Sequence, residues 1–89
     1  MAHSVSAKKR IRQNEAHRSR NRWRLRAMRA AIKDFESAVS GGDASAARDS
    51  FQKACSVIDR TAQKGVIHKR QADRRKSRLN QRLKSSISG

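Results

Sequence analysis

Between Lys64 and Leu79 the chain reads KGVIHKRQADRRKSRL, seven Lys or Arg in sixteen residues with Asp73 as the single carboxylate. The chemistry open to such a stretch is electrostatic. Ammonium groups act as point charges, and guanidinium groups offer a planar fork that meets two phosphate oxygens at once. A second stretch of this kind lies toward the other end. From Lys8 to Arg29 there are ten Lys or Arg, facing Glu15 as the one acid. Charge at this density repels itself within a folded segment, and a dense array of phosphates would offset that repulsion on binding.

Other chemistries find little support. His3, His17 and His68 are far apart, no two share a helical face at metal-ligand spacing, and Cys55 is the single cysteine. No metal site, no disulfide and no cofactor is therefore expected, and Cys55 reads as a small buried apolar residue of a reducing compartment. There is no GxSxG, P-loop or GxGxxG motif, and Asp34 and Glu36, two apart, point in different directions on a helix. Neither an enzyme nor a small-molecule substrate is expected.

At 89 residues the chain makes one small domain, 1–89, with a thin core. Lys and Arg number 23 against 7 Asp and Glu, a net charge of +16. That charge is partitioned: residues 1–33 carry +10, residues 34–63 carry −2 and residues 64–89 carry +8. Two cationic arms flank a nearly neutral middle, as expected if the middle folds on itself and the arms face a polyanion. No run approaches the roughly 18 apolar residues of a membrane span. The Arg- and Ser-containing N-terminus also has the composition of an organelle transit peptide. It runs without a break into a segment with core periodicity, however, so its removal would cut into the domain.

The elements that position these charges are helices. Proline is absent, no period-two alternation occurs, and good helix formers dominate. Gly41-Gly42-Asp43 reads as a helix stop followed by an N-cap, and Lys64-Gly65 as a second stop. Three helices are predicted, at about 6–40, 44–63 and 68–86, in an all-α chain with a long, protruding basic first helix. In the first, Leu25, Met28, Ile32, Phe35 and Val39 recur at spacings of 3 and 4 and form an apolar stripe. The same register continued backward gives Asn21, Arg18 and Asn14, so the stripe ends and the basic half must project or find a partner. The second helix presents Ala47, Phe51, Ala54, Ile58 and Ala62, widened by Cys55 and Val57. The third has Ala72, Leu79, Leu83 and Ile87, with Val66 and Ile67 beside the turn. Its eight cations cover most of its circumference, at about 100° per residue.

Trp23 is the single indole and lies about 140–200° around the first helix from the Leu25, Met28 and Ile32 stripe. It faces away from that stripe, among Arg22, Arg24 and Arg26. Two roles remain open for it: stacking on an unpaired base or a ribose, or covering a neighbouring side chain, including one on the third helix.

At these residues the chain resembles the S-twenty family of bacterial small-subunit ribosomal proteins, over nearly its whole length. SAKKRIRQNEAHRSRNR, Ser6 to Arg22, is similar to that family's opening SAKKR and its basic helix. SGGDASAARDSFQKA resembles the family's glycine-Asp turn and second helix, and DRTAQKGVIHKRQADRRKSRL resembles its most specific signature. Two positions depart from that signature. Arg70 stands where asparagine is usual, and Asp73 replaces an alanine, either facing RNA or pairing internally, for example with Arg70 or Arg74 beside it. The resemblance implies a three-helix bundle that binds small-subunit ribosomal RNA directly, in the cytoplasmic ribosome, and stabilises its fold during assembly. Contact with other small-subunit proteins would be marginal at most, and no membrane is involved.

Carried over by motif, the RNA-contact candidates are Lys8, Lys9, Arg10, Asn14, Arg18 and Asn21 in the first arm. In the second they are Lys64, His68, Lys69, Arg74, Lys76, Ser77 and Arg78. The residues' own chemistry adds Arg12, Arg22, Trp23, Arg70 and Arg75. The mechanism expected is phosphate clamping with shape readout, any base reading falling to unpaired loops or bulges.

Three rival classes fit the charge less well. A DNA-binding basic zipper would need a longer heptad stripe than the one that stops at Gly41-Gly42. A membrane-active amphipathic helix would need bulky apolar residues opposite the charges, which the basic half of the first helix lacks. A histone-like architectural DNA-binding protein is the closest alternative, separated by whether structured RNA is preferred over duplex DNA.

Overall fold

The computed structural model describes the backbone of residues 2–88 and the side chains of residues 7–87. His3 and Ser6 therefore lie outside the described side chains. The chain forms α1 (Ala2–Ser40), α2 (Ala44–Gln63) and α3 (Lys69–Ser88), with no strand among the described residues. α1 starts earlier than expected, and α3 starts one residue later and runs farther.

Each turn follows from its residues. Gly42 adopts φ 76°, a left-handed conformation that costs glycine nothing, and its N–H donates to the Val39 carbonyl to close α1. Asp43 then caps α2, its Oδ1 accepting from the backbone N–H of Ser45 (3.0 Å) and Ala46 (3.2 Å). At the far end Gly65, also at φ 76°, completes a Schellman motif. Its N–H donates to the Ala62 carbonyl and that of Val66 to the Thr61 carbonyl. The chain thus reverses twice, and α2 runs antiparallel to its neighbours.

α2 lies between the other two helices and packs on both. α1 and α3 approach each other mainly through side chains such as Glu36 and Arg82. The core consists of Met28 and Phe35 from α1, Ala47, Ala54 and Ile58 from α2, Ile67 from the turn, and Ala72, Leu79 and Leu83 from α3. The Phe35 and Phe51 rings meet tilted at 56°, centroids 6.0 Å apart. The predicted stripes therefore do pack, with differences in depth. Leu25, Ile32, Val39, Phe51 and Ala62 are half-buried, and Ile87 is exposed. Thr61, which no apolar pattern flags, is buried. Its hydroxyl donates to the Val57 carbonyl at 2.7 Å, so the polar atom is satisfied within its own helix.

From Ala7 to Trp23 every residue of α1 is exposed, and helix continues unbroken through this charged half. The molecule measures 67 × 22 × 13 Å with a radius of gyration of 17.9 Å. A compact chain of this length would have about 12 Å. The excess comes from the arm, for which the short α2 and α3 provide no packing partner.

Candidate nucleic-acid interface

The arm presents Lys8, Lys9, Arg10, Arg12, Arg18 and Arg22, with Asn14 and Asn21 between them, all exposed. Among the described residues no carboxylate pairs with the cations from Lys8 to Arg26. Successive residues turn by about 100°, so the charges are distributed around the helix rather than along one edge. Ile11 lies among them with 56% of its surface exposed.

The second basic stretch begins beside the base of this arm. The hairpin of α1 and α2 brings Trp23 and Arg24 against Arg60 and Lys64, and the chain enters α3 directly after Lys64. Lys64, His68, Lys69, Arg70 and Arg74 are all exposed there, as are Ser77 and Arg78 farther along α3. A shallow concavity is lined by His68, Arg70, Gln71 and Arg74.

His68 has a structural part as well. It precedes α3, its Nδ1 accepts from the Arg70 backbone N–H at 3.1 Å, and its carbonyl accepts from Gln71 and Ala72. The imidazole thus acts as an N-cap.

Two of the expected contact residues lie against other parts of the protein. Lys76 is half-buried and bridges from α3 to Asp59 of α2 at 2.8 Å, with Asp73 at 3.8 Å on its own helix. The hydrogen bond to Asp59 raises the Lys76 ammonium above its ordinary 10.5, against partial desolvation, and the two carboxylate charges add to the rise. Asp73 therefore does pair internally, but with Lys76, one turn away, rather than with Arg70 or Arg74. Arg75 turns into the α1–α3 cleft beside Ile32, Glu36 and Leu79. Its Nε is buried without a hydrogen-bond partner among the described residues. Both positions look like surface charge in a sequence, because the packing angle of α3 on α2 decides which cations fall inward.

Trp23 is 68% exposed, as its angular position predicts. It lines a cleft of about 160 Å³ with Arg24 and Ala27 of its own helix, Val57 and Arg60 of α2 and Lys64 just beyond, and no residue of the third helix borders that cleft. Arg60 is the residue that sequence reasoning passes over here. It sits in the nearly neutral segment, and its closeness to Trp23 is set by the hairpin register. Cys55 is half-buried, and desolvation raises its thiol above the ordinary value, with the Lys76 charge opposing, so it stays a protonated packing residue.

Among the described residues no cluster of His, Cys, Asp or Glu is arranged to hold a metal, and no helix is long and apolar enough to cross a membrane. What the fold presents is a small helical bundle carrying a naked cationic arm and a basic helix that starts at the arm's base.

The chain belongs to the ribosomal protein S20 family, whose model matches residues 2–84. It is similar to the small ribosomal subunit protein bS20 of Acinetobacter baumannii, at 48% identity over 96% of this chain and 97% of the relative. The proteins of the same name from Nitrosomonas europaea and Nitrosomonas eutropha are 47% and 45% identical, each covering 96% of this chain and 98% of the relative.

Proposed function

We propose that this protein is a structural, non-catalytic constituent of the small ribosomal subunit that binds its ribosomal RNA through the α1 arm and the exposed cations of α3. The observation that carries the reading is the state of the arm: every residue from Ala7 to Trp23 is exposed, and its cations have no carboxylate partner among the described residues. A helix so charged gains most from an anion of equal density, and nucleic acid supplies one phosphate for each nucleotide. The full-length similarity to bS20 proteins supports the choice of small-subunit RNA as that anion.

The cations divide into two roles. Lys8, Lys9, Arg10, Arg12, Arg18, Arg22, Lys64, Lys69, Arg70, Arg74 and Arg78 contact phosphates, with Asn14, Asn21, His68 and Ser77 as polar contacts. Lys76 and Arg75 set the docking of α3 and act on RNA through that placement. An α-helix cannot read the deep, narrow major groove of A-form RNA, so binding proceeds by backbone clamping and shape. Ribosomal location follows from this role and implies assembly in the cytoplasm. Contacts with other small-subunit proteins are marginal beside those with RNA.

A titration against small-subunit ribosomal RNA and against duplex DNA of equal charge, each at two salt concentrations, tests the reading. Preference for the RNA that persists at high salt is expected. Equal binding that collapses with salt on both would favour a histone-like architectural role on DNA.

A further inference from the structure

Trp23 leaves 68% of its surface in water at the point where the arm departs from the bundle. A tryptophan this exposed gives up burial that the adjacent core could have supplied, and nothing in α1's own stripe requires an indole there. The rest of the cleft's lining is apolar at Ala27 and Val57 and cationic at Arg24, Arg60 and Lys64. None of those three cations forms an ion pair among the described residues. Thr61 also borders the space, but its hydroxyl proton is spent on the Val57 carbonyl. The space of about 160 Å³ is several water volumes.

We propose that this cleft receives one unpaired nucleobase of the bound RNA, stacked on Trp23, with its flanking phosphates held by Arg24, Arg60 and Lys64. The inference rests on the RNA-binding reading and adds a subsite to it. The chemistry fits each wall: a planar π-face for the indole, apolar contact for Ala27 and Val57, and anionic oxygens for the cationic rim. The cleft selects an unpaired base over a paired one because only an unstacked base offers a free π-face to the indole, and stacking of this kind discriminates weakly among bases. A second copy of this chain is a poor occupant, because each copy brings +16 to a rim that is itself cationic.

Trp23 is the one tryptophan, so indole fluorescence reports this cleft alone. The full-length protein is titrated with a fully paired RNA duplex and with the same duplex carrying a single bulged adenosine. Filter retention measures binding independently of the indole. The expected result is strong quenching by the bulged RNA with little by the paired one, and about 5- to 150-fold tighter binding of the bulged form. Trp23→Ala should remove that preference while the paired duplex still binds, and Trp23→Phe should retain part of it. Both RNAs bound with emission unchanged would overturn the subsite and leave the RNA reading standing. Failure of both RNAs to bind while duplex DNA binds would overturn the RNA reading itself. A blue shift that grows with protein concentration in the absence of RNA would assign the cleft to self-association and overturn the proposal.

Discussion

Phe35 and Phe51 face each other across α1 and α2, but the two rings carry different weight. Phe35 is fully buried and Phe51 half-buried, so the sequence pattern that makes them equivalent overstates Phe51. Phe35→Ala should cost about 3–5 kcal/mol, close to the whole stability of a small domain, and Phe51→Ala roughly half that. Urea unfolding followed by circular dichroism checks the order, and equal losses would contradict the difference in burial. Lys76 gives a second test. Its raised pKa means that its contribution to folding is complete below the ordinary 10.5 and is lost as pH rises through the folded-state value. The thermal midpoint of the wild type should therefore drop more steeply above about pH 10.5 than that of Lys76→Met, with Cys55 titrating in both. At neutral pH the difference should be no more than about 1 kcal/mol, because the partners are largely solvated.

At the scale of elements, the two glycine turns fix where the charged helices point. Gly65 has open space for a Cβ, yet its φ of 76° strains any L side chain. Gly65→Ala should destabilise by about 1–2 kcal/mol through that strain alone, measured by thermal unfolding. A neutral result would mean the Schellman turn has rearranged. The arm behaves differently, since every described residue of it before Trp23 is exposed. Replacing Lys8, Lys9, Arg10 and Arg12 by Ala keeps good helix formers in place and should leave the unfolding midpoint of the bundle unchanged. The slope of log affinity for RNA against log salt should flatten by about 0.7–0.9 for each phosphate that these cations no longer neutralise. An unchanged slope would place that quarter of the arm in solvent.

For the whole molecule, elongation and charge belong together. A bundle 22 × 13 Å in cross-section cannot cover a 39-residue helix, so the surplus length becomes a binding surface rather than core. The same shape separates folding from binding, because the buried residues lie between Met28 and Leu83 while the unpaired cations extend outward from the end near Trp23. Mutations in the arm should thus alter affinity with little effect on stability. Those in the Met28, Phe35 and Ile58 cluster should do the reverse.

Much of this was legible in the sequence alone. Spacings of 3 and 4 defined the apolar stripes, glycines marked the reversals, and the end of the stripe before Leu25 announced a projecting arm. These features depend on local geometry, which residue order fully specifies. The angular offset of Trp23 likewise required nothing beyond the helical period. Tertiary structure decided what depends on how one helix is rotated against another. It gave Lys76 to Asp59, turned Arg75 into a cleft, made His68 a cap, and brought Arg60 across to Trp23. Cations spread around most of a helix are equivalent until a neighbour covers one side, and only packing breaks that equivalence.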